Sequence, residues 1–286
     1  MLCLLQNFHE KSSLKNKGGS SLFTIIDLVQ PKTLEEAYNV LISRRNNTIL
    51  GGCAFLKMGS KKIGTAIELS KLNLNYIIEF GDYIEIGAST TLRDIEVNPV
   101  VRNSFNGVLS NAVQNIIGVQ FRNVVNIGAS VFSKYGFSDV ITALLALDTD
   151  VELYKGGRMS LIEFLKRPCS KDILTRIFIK KNSANAVYKS FRNSSTDFPI
   201  LNVTVSKLHS EWKIVVGATP ATARVAINAS NLLSKEQLSE TLVNEVVKMV
   251  TEELTFGSNT RGSGEYRQAI CKVLVKRAIM EVSACK

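Results

Sequence analysis

Histidine is nearly absent from this chain: only His9 and His209 occur among 286 residues. Imidazole is a leading metal ligand and general base, so two isolated histidines, neither in a glycine-rich turn, leave little material for a zinc site or a catalytic triad. The cysteines are Cys3, Cys53, Cys169, Cys271 and Cys285, an odd number with no C-x-x-C pair. No disulfide framework, zinc set or iron–sulfur set is visible, and the usage fits a reducing cytoplasm. The dinucleotide fingerprint G-x-G-x-x-G is missing, which argues against a Rossmann fold. Long apolar runs are missing too: the longest, Val140–Leu147, falls far short of the roughly 20 residues a membrane span needs. The opening MLCLLQNFHEKSS has no basic residue ahead of its short apolar stretch and no small-residue cleavage site, so no secretory signal is expected.

What is present is an ordinary globular balance, 45% hydrophobic and 21% charged, with a formal net charge of +10. The basic residues are scattered, their close pairs being Arg44-Arg45, Lys61-Lys62, Lys166-Arg167 and Lys180-Lys181. No basic stripe interleaves with aromatics, so nucleic acid is not an expected partner, and the charge reads as a solvated surface with mild attraction for anions. Residues 1–22, polar and Gly/Ser-rich towards their end, read as a disordered extension.

From Phe23 the pattern is mixed α and β. Phe23–Val29 reads as a strand. Thr33 to Arg44 reads as an amphipathic helix, with Thr33 and Glu36 as a capping box and Ala37, Val40 and Leu41 on one face. Thr48–Leu50 and Thr65–Leu69 are short strands. Tyr76–Phe80 and Tyr83–Ile86 flank Gly81-Asp82 as a hairpin. A helix starts near Leu92, and after Asn98-Pro99 a second is predicted from about Val100 to Ile117. Further helices are predicted at Ser138–Leu147 and after Ser160, with a hairpin over Gly156-Gly157 and a strand at Ile173–Ile179. Past Lys180-Lys181-Asn182-Ser183 come three alternating strands, Ala186–Phe191, Ile200–Leu208 and Trp212–Ala218, then helices at Lys235–Leu254 and Ser263–Ser283. The expected division is an extension at 1–22, one domain at 23–182 and a second at 183–286.

Three segments carry chemistry. In TILGGCAFLK, Gly51-Gly52 between a strand and a helix start leaves backbone N–H groups open to a phosphate, although the same pair also serves as a plain tight turn. In FRNVVNIGASVFSKYGFSD, Gly128, Ala129 and Ser130 offer a second set of donors, and Asp139 stands at the mouth of a helix that Ser138 or Asp139 also caps. In Tyr188-Lys189-Ser190-Phe191, a lysine among aromatics suits an anion or a polarised oxygen, or simply the wet face of a strand.

Taken in order, TILGGCAFLKM, YIEIGASTTLRDIE, FRNVVNIGASV, SDVITALLALDTDVEL, ILTRIFIKK, VVGATPATARV and RGSGEYRQAICKVLVKRA resemble the flavin-binding subunit of molybdenum hydroxylases. That group includes xanthine dehydrogenase and carbon monoxide dehydrogenase, and the likeness covers about residues 23–283. It implies an α+β fold: an FAD-binding domain of the p-cresol methylhydroxylase and vanillyl-alcohol oxidase type, made of two α/β subdomains, then a C-terminal three-stranded antiparallel sheet with helices. It implies one non-covalent FAD. Leu50, Gly51, Gly52, Cys53, Ala54, Phe55 and Leu56 would wrap the pyrophosphate, and Asn126, Ile127, Gly128, Ala129 and Ser130 would form the second loop. Asp139 would bond cofactor hydroxyls, Thr90 and Thr91 would lie near the cofactor, and Ile116, Leu174 and Lys189 would lie along the flavin ring.

The resemblance also implies partners: a molybdenum-binding large subunit, a small subunit with 2Fe–2S clusters, and NAD as electron acceptor. No catalytic side chain and no metal ligand are expected in this chain, which is expected to be cytoplasmic. It departs from the family pattern at Cys53, where a threonine is usual, at Ile116, where an aromatic is common, and at Gly128-Ala129-Ser130, where Gly-Gly-Asn is usual. A methyl at Ala129 is expected to block one phosphate-facing amide and weaken binding. A free-standing FAD oxidase and an assembly subunit without FAD remain alternative readings.

Overall fold

The computed structural model describes residues 23–168 and 170–285. The expected extension at 1–22, with Cys3 and His9, lies outside the described residues, as does Cys169. The first layer is β1 (Thr24–Val29), α1 (Leu34–Ser43), β2 (Thr48–Ile49), α2 (Ala54–Lys57) and β3 (Lys62–Ile67), with strands ordered β1-β3-β2 and all parallel. Thr33 caps α1, its hydroxyl accepting from Glu36 N at 3.1 Å. Ala37 and Leu41, one turn apart, bury the helix against Ile67, Leu69, Leu74 and Ile173.

The second layer holds β4 (Ile77–Phe80), β5 (Tyr83–Gly87), α3 (Leu92–Val97), α4 (Pro99–Asn103), α5 (Val108–Val113), α6 (Val119–Arg122), α7 (Ile127–Phe132), α8 (Asp139–Ala146), β6 (Thr149–Leu153), β7 (Gly157–Ser160), α9 (Leu161–Lys166) and β8 (Leu174–Lys180). Its sheet is five-stranded and antiparallel, ordered β4-β5-β8-β6-β7. The single helix predicted from Val100 to Ile117 is broken. Phe105, Asn106 and Gly107 all have positive φ, a left-handed run that no α-helix accommodates, so α4 and α5 form separately on either side. Helix α8 is buried over its whole length, as a helix apolar on every side must be.

The third layer is β9 (Asn185–Arg192), β10 (Pro199–Leu208), β11 (Glu211–Gly217), β12 (Arg224–Val225), α10 (Ile227–Lys235), α11 (Glu240–Glu253) and α12 (Gly264–Ala284). The sheet is ordered β12-β11-β10-β9, four strands where three were expected, because the two-residue β12 is too short to show a period. Helix α10 also went unpredicted: Ala226 precedes it with no side-chain cap, while α11 starts later than expected, behind the Ser239 hydroxyl. Strand alternation sets the faces of β10. Leu201, Val203 and Val205 enter the apolar core under α11 and α12. Asn202 and Ser206 turn towards α8, where Ser206 Oγ donates to Ala146 O at 2.6 Å and Asn202 Oδ1 accepts from Thr142 Oγ1 at 3.0 Å. Helix α8 therefore lies between the second and third layers and packs against both. Among the described residues, no helix is long and apolar enough to cross a membrane.

Candidate cofactor site

Strand β2 ends in a turn that only glycine can make. Leu50 N donates to Ile67 O at 2.8 Å, the last rung of the parallel pairing, and the chain then bends. A Cβ at Gly51 would stand 2.3 Å from Ala129 Cβ and 3.1 Å from Asn126 Oδ1. Gly52 has φ +84°, and a Cβ there would stand 2.6 Å from Val125 Cα and 2.7 Å from Val124 O. The first glycine gives room to a methyl group. The second is required by backbone on its other side and by its own left-handed conformation. Cys53 follows with φ 57°, unusual for a residue with a side chain, and α2 begins at Ala54. Among the described residues, no acceptor meets the N–H of Gly51 or Gly52.

The second loop is different. Ile127 N donates to Thr90 O and Gly128 N to Ala88 O, each at 2.9 Å. Ala129 N donates to Asn126 Oδ1 at 2.8 Å, and both Ser130 N and Ser130 Oγ donate to Asn126 O. The donors expected to be open here are thus occupied: Asn126 caps α7, and the strip Ala88–Thr90 takes the rest. Gly128 is small because a Cβ would come 2.6 Å from Ala88 Cβ and from Ala88 O. The Ala129 methyl faces Gly51, and the Ala129 amide itself is held by Asn126. This loop is the wall on which the glycine turn rests.

The other predicted positions separate into those near this wall and those away from it. Thr90 is fully buried, its hydroxyl donating to Tyr76 O at 2.9 Å and accepting from Tyr76 N at 3.1 Å. Thr91 caps α3 in a reciprocal box with Asp94. Ile116 and Leu174 pack into the core that also holds Ala88 and Ile127. Lys189 is not brought to the loops. Its neighbour Tyr188 faces α8, and strand alternation sends Lys189 to the opposite face of β9, where Nζ lies 2.5 Å from Glu281 in a groove of about 1140 Å³ against α11 and α12.

Asp139 sits in the first turn of α8, buried among groups that its sequence position did not announce. Tyr188 Oη donates to its Oδ1, as does Asn202 Nδ2 at 3.1 Å, while Arg192 Nη2 lies 2.9 Å from Oδ2. Arg192 Nη1 donates onward to Asp197 O at 2.7 Å. Burial, then the Asp139 charge, pushes the Tyr188 hydroxyl well above its ordinary pKa, so it stays a donor. Next to this pair stands an aromatic box that the sequence pattern did not suggest. Phe55, from the first loop, meets Tyr135, Phe137 and Phe198 at ring distances of 4.8, 5.7 and 5.8 Å, and the Arg261 guanidinium lies 4.9 Å from the Phe198 ring. The signal lay in Tyr135-Gly136-Phe137. Gly136 accepts Ala218 N at 2.8 Å, and a Cβ there would come 2.6 Å from Pro220 O, so the string VVGATPATARV docks onto it. Among the described residues, no group of three or more His, Cys, Asp or Glu is placed to hold a metal ion.

A glycine turn with two unmet amides, backed by a second loop and closed by an antiparallel domain, is able to take an anionic cofactor on its backbone. Comparison with known proteins says which. Residues 23–181 match the family described as the FAD binding domain in molybdopterin dehydrogenase, and residues 186–282 match the CO dehydrogenase flavoprotein C-terminal domain. The chain belongs to this family, the FAD subunits of molybdenum hydroxylases, and FAD is its cofactor. It is 26% identical over 274 residues to the glyceraldehyde dehydrogenase medium chain of Sulfolobus acidocaldarius, covering 89% of this chain and 97% of the relative. It is 24% identical over 277 residues to the nicotine 6-hydroxylase medium subunit of Paenarthrobacter nicotinovorans, covering 91% and 98%. Among solved structures, a carbon monoxide dehydrogenase chain from Hydrogenophaga pseudoflava shares the fold with a TM-score of 0.83 at 20% identity, over 90% of this chain and 97% of that one. A chain of quinoline 2-oxidoreductase from Pseudomonas putida 86 does so with a TM-score of 0.82 at 18% identity, over 90% and 96%.

Proposed function

We propose that this chain is the flavin subunit of a multi-subunit hydroxylase of the xanthine dehydrogenase kind, working in the cytoplasm beside a molybdenum-binding large subunit and a small subunit with 2Fe–2S clusters. The observation that carries the reading is the turn at Gly51-Gly52. Its two amides have no acceptor among the described residues. A pyrophosphate fits this, because its oxygens accept hydrogen bonds from backbone N–H groups. Leu50 to Leu56 hold it. Asn126 to Ser130 act as the supporting wall, and Thr90 and Thr91 fix the strip that binds the wall. Asp139 Oδ1 already accepts two bonds, but Oδ2 faces only Arg192, which leaves it able to accept from one cofactor hydroxyl. Ile116 and Leu174 give the ring an apolar border. When bound, FAD supplies a centre that takes electrons one at a time and passes on a pair, here to NAD. This chain's own part is to bind, orient and keep water away. A free-standing oxidase is less favoured, since the two curated relatives compared are each described as a medium chain or subunit.

The test is purification of the tagged chain from its own cells. A yellow complex containing molybdenum and iron, which forms NADH from NAD when given hypoxanthine and releases all its flavin on acid precipitation, is the expected result. A yellow complex that oxidises only aldehydes or N-heterocycles other than purines would overturn the xanthine dehydrogenase-like part. Reduction of a dye but never of NAD would overturn the acceptor.

A further inference from the structure

Charged side chains make up 21% of the chain, yet between Asn103 and Ser133 the only one is Arg122. That one is hidden. Arg122 is 5% exposed, its Nε and Nη2 meet the Glu96 carboxylate at 2.7 and 3.2 Å, and its Nη1 donates to Ile116 O at 3.0 Å. The surface of this stretch is therefore uncharged in an otherwise strongly cationic protein. It is also oily: Ile117, Val119 and Val124 are 38%, 43% and 60% exposed, set among Gln114, Asn115, Gln120 and Asn123. Ile117 adopts φ 51°, a costly conformation for a β-branched residue. It is held there by the Arg122 bond to the preceding carbonyl and by Arg122 N to Gly118 O at 3.0 Å. A strained turn that presents isoleucine to solvent, fixed by a buried ion pair, is a feature to be explained by function.

Its place in the fold points to the function. Val124 O and Val125 Cα are the atoms against which Gly52 is packed, so the uncharged face continues directly from the cofactor turn. Other exposed apolar groups have charge among them: Asp27 beside Ile25, Ile26 and Leu28 on β1, Glu79 between Ile78 and Phe80 on β4, and Lys272, Lys276 and Arg277 beside Tyr266, Val273 and Met280 on α12. Loss of charge at the centre with retained apolar side chains is the composition of a permanent subunit interface. Electron transfer falls steeply with distance, so of the two proposed partner subunits the one that must sit closer to the flavin is the electron donor. We infer that α6 with its flanks, Gln114–Ile117 and Asn123–Val124, is the docking face for the iron–sulfur subunit. This rests on the function proposed above.

The experiment is purification of tagged Val119→Glu and Val124→Glu variants from the chain's own cells, with Val273→Glu on α12 as a control, reading iron, the 2Fe–2S electron paramagnetic resonance signal and flavin per chain. A buried carboxylate facing an apolar partner surface should cut retained iron about tenfold or more, while flavin stays at the parent level. The control should keep both. Iron at the parent level in both α6-face variants would overturn the assignment. So would loss of flavin along with iron, which would make the face part of the cofactor pocket, or equal loss of iron in Val273→Glu. A parent chain that carries flavin but never iron would overturn the proposed function itself, and this inference with it.

Discussion

The contact between Gly51 and Ala129 can be tested by exchanging the two residues. A Cβ at Gly51 would stand 2.3 Å from Ala129 Cβ, whereas carbon atoms in contact settle near roughly 3.5–4.0 Å. The two methyl groups would overlap by more than about 1 Å, and neither has a rotamer into which it can move. Ala129 is also fixed on α7 by its N–H to Asn126 Oδ1 and by its carbonyl, which accepts Ser133 N at 3.0 Å. Gly51→Ala should therefore cost about 1–3 kcal/mol as an overpacked contact. Ala129→Gly alone should cost about 1 kcal/mol through helix propensity. In the double variant the methyl simply moves to the facing wall, so the total should fall back to about 1 kcal/mol. Urea unfolding of the four proteins without flavin gives the coupling, expected at about 1–3 kcal/mol in favour of the pair. Additivity within about 0.5 kcal/mol would show that the two loops do not meet as described. Flavin titration adds a second reading. The Ala129 amide is already held by Asn126, so Ala129→Gly should leave FAD affinity unchanged. A tightening of about threefold to tenfold would instead restore the view that the methyl blocks a phosphate-facing amide.

Asp139→Asn should destabilise the protein by about 3–5 kcal/mol in urea unfolding, because it leaves Arg192 buried without its counter-charge; a loss below about 1 kcal/mol would mean that the pair is solvated. Glu96→Gln tests the clamp on the Ile116 turn. Burial raises the Glu96 pKa, but hydrogen bonds from Arg122 and Arg93 outweigh it and hold the carboxyl below its ordinary value. Its contribution is then fully present above the unfolded glutamate pKa and is lost as pH falls through the folded one. The gap in stability between parent and Glu96→Gln should shrink from neutral pH into the acid range, and a constant gap would refute the ion pair as its source. Lys189→Ala should change flavin affinity little, because the side chain pairs with a half-exposed Glu281 on the far face of β9; loss of flavin would place the lysine at the ring after all.

Local signals in the sequence were good guides to local structure. The caps at Thr33, Ser138 and Ser160 act within three residues of themselves, and all three are found accepting the backbone N–H of their own helices. The break at Phe105–Gly107 was missed, although the Asn106-Gly107 pair, a turn former set inside an apolar run, carried a signal for it. What stayed hidden was set by distant residues. Asp139 meets Tyr188 and Asn202 across 49 and 63 positions. The Ile127 and Gly128 amides of the second loop are taken by Thr90 and Ala88, in a strip the sequence offered only as a stretch near the cofactor. Glycine marks a place where backbone comes close to something, and the sequence alone does not say whether that is a phosphate or another strand: at Gly128 it is Ala88.

Helix α8 carries a consequence for anyone who would cut this protein in two. The family matches divide near residue 181, and a fragment ending there would keep α8 but strip away β10 and its polar face. Thr142 would lose Asn202, the Ala146 carbonyl would lose Ser206, and Asp139 would lose Tyr188, Asn202 and Arg192 together. The complementary fragment would open the same groups on its own side. Two stretches that are separate as inherited modules thus share one cooperative unit, and melting should show a single transition with no half-folded plateau. The FAD turn is then never held by a domain that folds alone, so cofactor retention and integrity of the C-terminal sheet should be lost at the same temperature.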